Sequence, residues 1–180
     1  MASSNPPFPL IKSDRIDSSM VSKRHRLNND AERIGVCMSD MAGMKGLGVH
    51  KVRIPPNGES TEIHYHLQDS EWLYVLSGTG VLLLQDASES FDTSDDPKNG
   101  RIVGRVTSQS GEASSSNVKE HEIASGDFMG FQGGVLASKF AHSLRAGPDG
   151  LEYLMGGTRE RIDVCCYPRL GIRDVFEKTL

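Results

Sequence analysis

Within Gly58 to Gly78 the chain reads GESTEIHYHLQDSEWLYVLSG. His64 and His66 stand two apart in a β-type run, and the strand period of 2 sends both side chains to one face of a sheet. Neighbouring imidazoles on one face can share an ion. A short turn, Leu67 to Ser70, returns the chain so that Glu71 opens the adjacent strand and adds a carboxylate to the same face. Nitrogen and oxygen donors of this kind suit Mn, Fe, Co, Ni or Zn. His142 is the only histidine after His121 and is the expected fourth donor. In Phe140 to Arg145 the alternation puts Phe140, His142 and Leu144 on one face, so the imidazole points inward. A lone inward histidine is ordinarily a hydrogen-bonded core residue, but the cluster of His64, His66 and Glu71 favours a ligand.

Such donors need short strands that cross one another. From Leu47 to Gly157 the sequence supplies short β-type runs broken by turn residues, the pattern of an all-β sandwich or barrel. The expected strands are Val49 to Ile54, Thr61 to His66, Glu71 to Leu76, Gly80 to Gln85, Glu120 to Ile123, Phe128 to Phe131, Phe140 to Arg145 and Leu151 to Met155. Asp86 to Val118 is rich in Ser, Asp, Gly, Asn and Lys and cannot bury enough apolar area to offset the entropy of ordering. It reads as a polar surface insertion, in which Arg101 to Thr107 can form an extra strand.

The first motif resembles that of the cupin superfamily, G-x5-H-x-H-x3-4-E-x6-G, with Gly58, His64, His66, Glu71 and Gly78 at its fixed positions. The second motif, G-x5-P-x-G-x2-H-x3-N, is matched in part. Gly126 and Gly134 fit, while Gln132 stands at the proline, seven residues separate Gly134 from His142, and Ala146 takes the asparagine place. The segment GGTRERIDVCCYP, Gly156 to Pro168, looks like the tail of a microbial single-cupin family. The resemblance implies a double-stranded β-helix, or jelly-roll barrel, holding one divalent transition metal ion (Fe, Mn, Zn, Ni or Co) at one end. The implied organisation is an N-terminal extension over 1–45 packing on the barrel, a barrel over 46–157 with the insertion at 86–118, and a C-terminal tail over 158–180.

Composition narrows the classes further. A chain of 180 residues is of single-domain length. Its formal charge of -4 offers no basic field for nucleic acid. No apolar run approaches the roughly 20 residues that span a bilayer. The start has no charged head followed by an apolar stretch, so the expected compartment is the cytosol. Cys37, Cys165 and Cys166 lack disulfide or zinc spacing and are expected to be reduced.

Four protein donors leave up to two positions of an octahedral ion for water, dioxygen or substrate. With Fe(II) the expected chemistry is oxygenation of an aromatic, phenolic or polyketide-like small molecule. With Mn, Zn or Ni the alternative is a redox-neutral lyase, isomerase or decarboxylase. A non-catalytic metal or ligand binder is the third reading. Leu73, Val75, Phe128, Phe140, Leu144 and Met155 are expected to line the pocket, and their apolar character favours an aromatic substrate over a sugar phosphate. No Lys or Arg is clearly inward among the barrel strands. His50 shares parity with Val52 and Ile54 and is expected to shuttle a proton or hold a ligand, a core role being about as well supported. Glu62 has the parity of His64 but sits at its strand's start. Trp72 and Tyr74 point away from the barrel, where a homodimer contact is expected.

Overall fold

The computed structural model describes residues 7–88, 91–92, 105–106 and 117–178. A short helix α1 (Ser13–Ser18) leads into β1 (Val21–His25) and β2 (Asn28–Cys37), and one helical turn, α2 (Met38–Met41), leads into β3 (Leu47–Ile54). Then come β4 (Tyr65–His66), β5 (Glu71–Gln85), β6 (Phe91–Asp92), β7 (Arg105–Val106), β8 (Val118–Ala124) and β9 (Phe128–Phe131). A 3-10 segment, Val135–Phe140, precedes β10 (Ala141–Thr158), β11 (Ile162–Tyr167) and β12 (Ile172–Glu177). The large sheet runs β1-β2-β3-β10-β5-β8, with β9 also paired to β5, and the smaller runs β12-β11-β4. The all-β character expected from the pattern, and the jelly-roll that the resemblance implies, are the architecture found. Among the described residues no helix is long and apolar enough to cross a membrane.

Two long strands form the wall. β5 and β10 pair antiparallel from Ala141 opposite Gln85 to Gly157 opposite Glu71, and β10 pairs β3 along its other edge. Each merges two shorter expected strands into one that bends. The register breaks between Ala146 and Leu151, where Gly147, Pro148, Asp149 and Gly150 interrupt the ladder. Gly78 (φ 83°) and Gly150 (φ 82°) lie at this bend in conformations that favour glycine. A Cβ on Gly78 would stand 2.2 Å from the Gly150 carbonyl oxygen. Gly78→Ala therefore combines left-handed strain with overpacking, and denaturant unfolding should show a loss of about 2–4 kcal/mol.

Alternation along these strands builds the core. Val52, Ile54, Leu73, Val75, Leu82, Leu144, Leu151 and Tyr153 form one apolar cluster. A second cluster joins Tyr65 and Cys166 of the smaller sheet to Leu83 and Ala141 of the larger. Leu82 and Leu83 thus bury opposite faces of β5 in the two clusters. The expected strand Thr61 to His66 is shorter than anticipated, since only Tyr65–His66 is regular. The reason lies at Ser60, whose hydroxyl accepts from the Leu144 N–H at 2.8 Å in place of a main-chain partner. His64 still bridges His142, with mutual N–H···O bonds of 3.1 and 2.8 Å.

The ends of the chain carry more sheet than their polar composition suggests. β1 and β2 extend the large sheet, with β2 paired to β3 from Ile34 opposite Arg53 to Cys37 opposite His50. Lys23 and Arg24 are exposed on the outermost strand, as a solvated charge run requires. At the other end β11 lies between β12 and β4, setting Cys165 opposite His66 and Cys166 opposite Tyr65. All three cysteines are free thiols. Of the insertion, Phe91–Asp92 pairs with Arg105–Val106. The rest of the anticipated strand from Arg101 to Thr107 lies outside the described residues.

Candidate metal centre

His64 and His66 come from the β4 segment, Glu71 opens β5, and His142 is the second residue of β10. The crossing of β4 over the wall brings them together. Donor atoms of His64, Glu71 and His142 all lie within 4.8 Å of one another. Glu71 Oε2 is 3.0 Å from His142 Nε2 and 4.0 Å from His64 Nε2. The ring centroids of His64 stand 4.9 Å from His142 and 5.1 Å from His66. His66, the remaining expected donor, belongs instead to a neighbouring group with His64 and Cys165. The motif positions thus meet at one end of the barrel, three in direct proximity and His66 beside them.

Each imidazole is oriented through its other nitrogen. His64 Nδ1 meets the Glu62 carbonyl at 3.0 Å, and His142 Nδ1 meets the Phe140 carbonyl at 3.1 Å. His66 Nδ1 meets Asp163 Oδ2 at 2.6 Å. Carbonyl oxygens only accept, so Nδ1 of His64 and His142 carries the proton and Nε2 presents a lone pair to the centre. Asp163 imposes the same tautomer on His66. At His142 that lone pair faces a carboxylate oxygen, a contact that needs positive charge between the two, either a second proton or a metal ion. Phe131 stacks flat on the His142 ring, with centroids 3.5 Å apart and planes 7° from parallel.

The electrostatics agree with a cation site. Burial, followed by the His142 charge, pushes His64 down to about 3, so its imidazole is neutral at neutral pH. Burial works to raise Glu71, yet the His142 hydrogen bond and the three surrounding imidazoles outweigh it and hold the carboxyl at about 2. Asp163 is similar. Its burial opposes ionisation, while the His66 hydrogen bond and charge, with the N–H groups of Asp69 and Gln68, bring it down to about 2. Cys165 differs, because burial pushes its thiol up to about 12 and keeps it protonated. A metal ligand must be the thiolate, so the group containing Cys165 is the poorer of the two. The oxygen and nitrogen set of His64, Glu71 and His142, with His66 alongside, fits a divalent transition ion.

Two cavities flank the cluster. The larger, about 530 Å³, is lined by Tyr65, His66, Glu71, Phe131, Phe140 and His142 among others, including Gln132, Leu136 and Ala137. The smaller, about 210 Å³, lies against His66 and Glu71 on another side and includes His50, Met155, Arg159 and Lys178. Of the expected lining residues, Phe140 reaches the first cavity and Met155 the second. Leu73, Val75 and Leu144 are instead in the closed apolar core. Phe128 requires correction, for it is 66% exposed and its ring stacks toward Trp72 with centroids 6.4 Å apart. The inward residues of β9 are Met129, which is buried, and Phe131 on His142, so the strand's parity is one residue out from that expected.

His50 borders the second cavity, where burial and then the Arg159 charge lower its pKa. Glu62 orients His64 through its carbonyl, while its carboxylate lies 3.7 Å from Arg169. Tyr74 is exposed, consistent with its outward parity, and Trp72 covers Gly156, where a Cβ would lie 2.3 Å from the indole. Asp163 also reaches an imidazole, and Arg159 and Lys178 the smaller cavity, without being among the expected site residues. They follow the barrel strands in sequence and belong to neither motif. Asp163 in particular carries no local signal beyond a single acidic residue in an apolar run.

No family model and no curated protein sequence matches the chain. Solved structures do. A candidate sugar phosphate isomerase of Acidithiobacillus ferrooxidans is 27% identical with a TM-score of 0.67, over 93% of this chain and 91% of that one. A sugar phosphate isomerase from a cupin superfamily, of Silicibacter pomeroyi, is 20% identical with a TM-score of 0.59, over 89% and 90%. Oxalate decarboxylase of Lactobacillus farciminis is 18% identical with a TM-score of 0.47, over 88% of this chain and 34% of that one. With the motif histidines and Glu71 gathered beside one another in a jelly-roll, and the first two of these likenesses running nearly end to end in both chains, the chain has the cupin fold.

Proposed function

We propose that the protein is a metal-dependent, redox-neutral isomerase of phosphorylated sugars, with His64, His66, Glu71 and His142 holding one divalent ion. The observation that carries the metal part is the cluster in which His64, Glu71 and His142 place their donors within 4.8 Å, each imidazole offering Nε2. The likeness to the Acidithiobacillus protein supports isomerisation over the oxygenase chemistry expected first, because it extends over 93% of the chain. Held by these residues, a divalent ion would supply Lewis acidity of the kind that polarises a sugar carbonyl and acidifies the adjacent C–H.

The chain's own residues supply the rest. Glu62 and Phe140 carbonyls and Asp163 hold the imidazoles in one tautomer. Phe131, Phe140 and Leu136 give the larger cavity an apolar wall. His50, whose pKa burial lowers, borders the smaller cavity together with His66 and Glu71 and is the candidate to accept a proton from a carbon held at the cluster and return it to the neighbouring carbon. Aldose and ketose phosphates incubated anaerobically with Mn- or Zn-loaded protein should interconvert, with solvent deuterium entering the product. Turnover that demands dioxygen, or none with a metal-loaded protein across such substrates, would defeat this reading in favour of the oxygenase or the binder.

A further inference from the structure

We infer that the smaller cavity is an anion subsite in which Arg159 and Lys178 hold the substrate's phosphate while its reacting carbons lie at the histidine cluster. This rests on the isomerase reading above. The first cavity has no Lys or Arg among its lining residues, whereas the second has both of these and shares His66, Asp69 and Glu71 with the first. One molecule can therefore touch the cation pair and the cluster together. Arg159 follows β10 and Lys178 follows β12, so the positive charge at this cavity comes from residues just beyond two strand ends.

Both cations are placed by partners that can spare them. Arg159 donates Nη1 to Asp40 at 2.5 Å and Nη2 to Cys37 Sγ at 2.9 Å. A guanidinium carries five N–H groups, so others remain for an anion. Asp40 is 59% exposed and stays hydrated if Arg159 turns. Gly48 keeps the floor open, since a Cβ there would lie 3.1 Å from Arg159 Nε and 3.6 Å from His50 Nε2. Lys178 pairs with Asp69, whose other contacts are the Glu160 N–H at 2.8 Å and the Thr158 hydroxyl at 3.5 Å. Asp69 thus keeps hydrogen bonds when the ammonium shifts to a phosphate. A planar fork beside a mobile point charge is the pairing that recognises a phosphate dianion.

Calorimetric titration of the metal-loaded protein with inorganic phosphate, a hexose 6-phosphate and the unphosphorylated hexose tests this. Wild type should bind both phosphates, and the ester more tightly than the free anion. Arg159→Gln and Lys178→Gln should each weaken both phosphates at least about tenfold, with bound metal and melting temperature retained. Lys178→Gln serves as the second probe at the far end of the chain, and Arg159→Lys should restore part of the loss. No phosphate binding by wild type, equal affinity in the variants, or an effect on the free anion that spares the ester would overturn the subsite. Metal content is measured on the same samples, so a wild type that takes up no metal would instead sink the isomerase reading.

Discussion

His142→Ala should strip the protein of its metal and abolish turnover while leaving it folded. Losing only the hydrogen-bond partner of a metal-bound histidine typically weakens metal affinity about 10- to 100-fold, so losing the imidazole itself should exceed that range. His142 also supplies the hydrogen bond and charge that help keep Glu71 ionised at about 2. With His142 gone, the buried carboxylate keeps His64 and His66 as its neighbours and loses its nearest partner. Equilibrium dialysis against a divalent ion, followed by elemental analysis, reads the affinity, and circular dichroism reads the fold. The side chain meets Phe131, His64 and Glu71 and is not itself a member of the central apolar cluster, so the fold should survive its loss.

Asp163→Asn should be almost as damaging, although Asp163 is not itself one of the expected ligands and acts through His66. Asp163 accepts His66 Nδ1 at one oxygen and the N–H groups of Gln68 and Asp69 at 3.2 Å at the other. An asparagine that keeps its oxygen on the two backbone donors turns its NH2 toward His66. The imidazole must then accept at Nδ1 and carry its proton on Nε2, the tautomer that cannot ligate. A 10- to 100-fold loss in metal affinity follows, with about 2–3 kcal/mol of stability. The pH dependence separates this from a packing defect. Asp163 titrates near 2 in the folded chain and near 4 when unfolded, so its contribution is complete above pH 4 and is lost as pH falls from about 4 to 2. In the metal-free Asn variant that part of the acid destabilisation should disappear. A variant with the same acid profile and unchanged metal affinity would show Asp163 to be ordinary core.

Legibility in the sequence followed how local each signal was. His64 and His66 sit two apart in a strand with Glu71 just across a turn, and period-2 alternation is enough to put them on one face. His142 depended on the same alternation between Phe140 and Leu144. Phe140, however, lies in the 3-10 segment rather than the strand and is largely exposed at the cavity mouth. On β9 the short run FMGF has apolar residues at both parities, so alternation alone does not distinguish Phe128 from Met129 and Phe131. The two terminal segments were harder still. β2 carries Glu32 and Arg33 amid its apolar residues, and only pairing with β3 makes it sheet. Asp163, Arg159 and Lys178 act across separations of about a hundred residues, which no periodicity reports.

In the proposed site, imidazoles and a carboxylate from three separate stretches hold one cation. X-ray absorption on the Zn-loaded protein tests it most directly. The expected spectrum has a nearest shell of nitrogen and oxygen alone at about 2.0–2.2 Å, with the outer scattering of several imidazole rings. A sulfur shell at about 2.3 Å, which would place Cys165 on the ion, or a spectrum without imidazole scattering would contradict it.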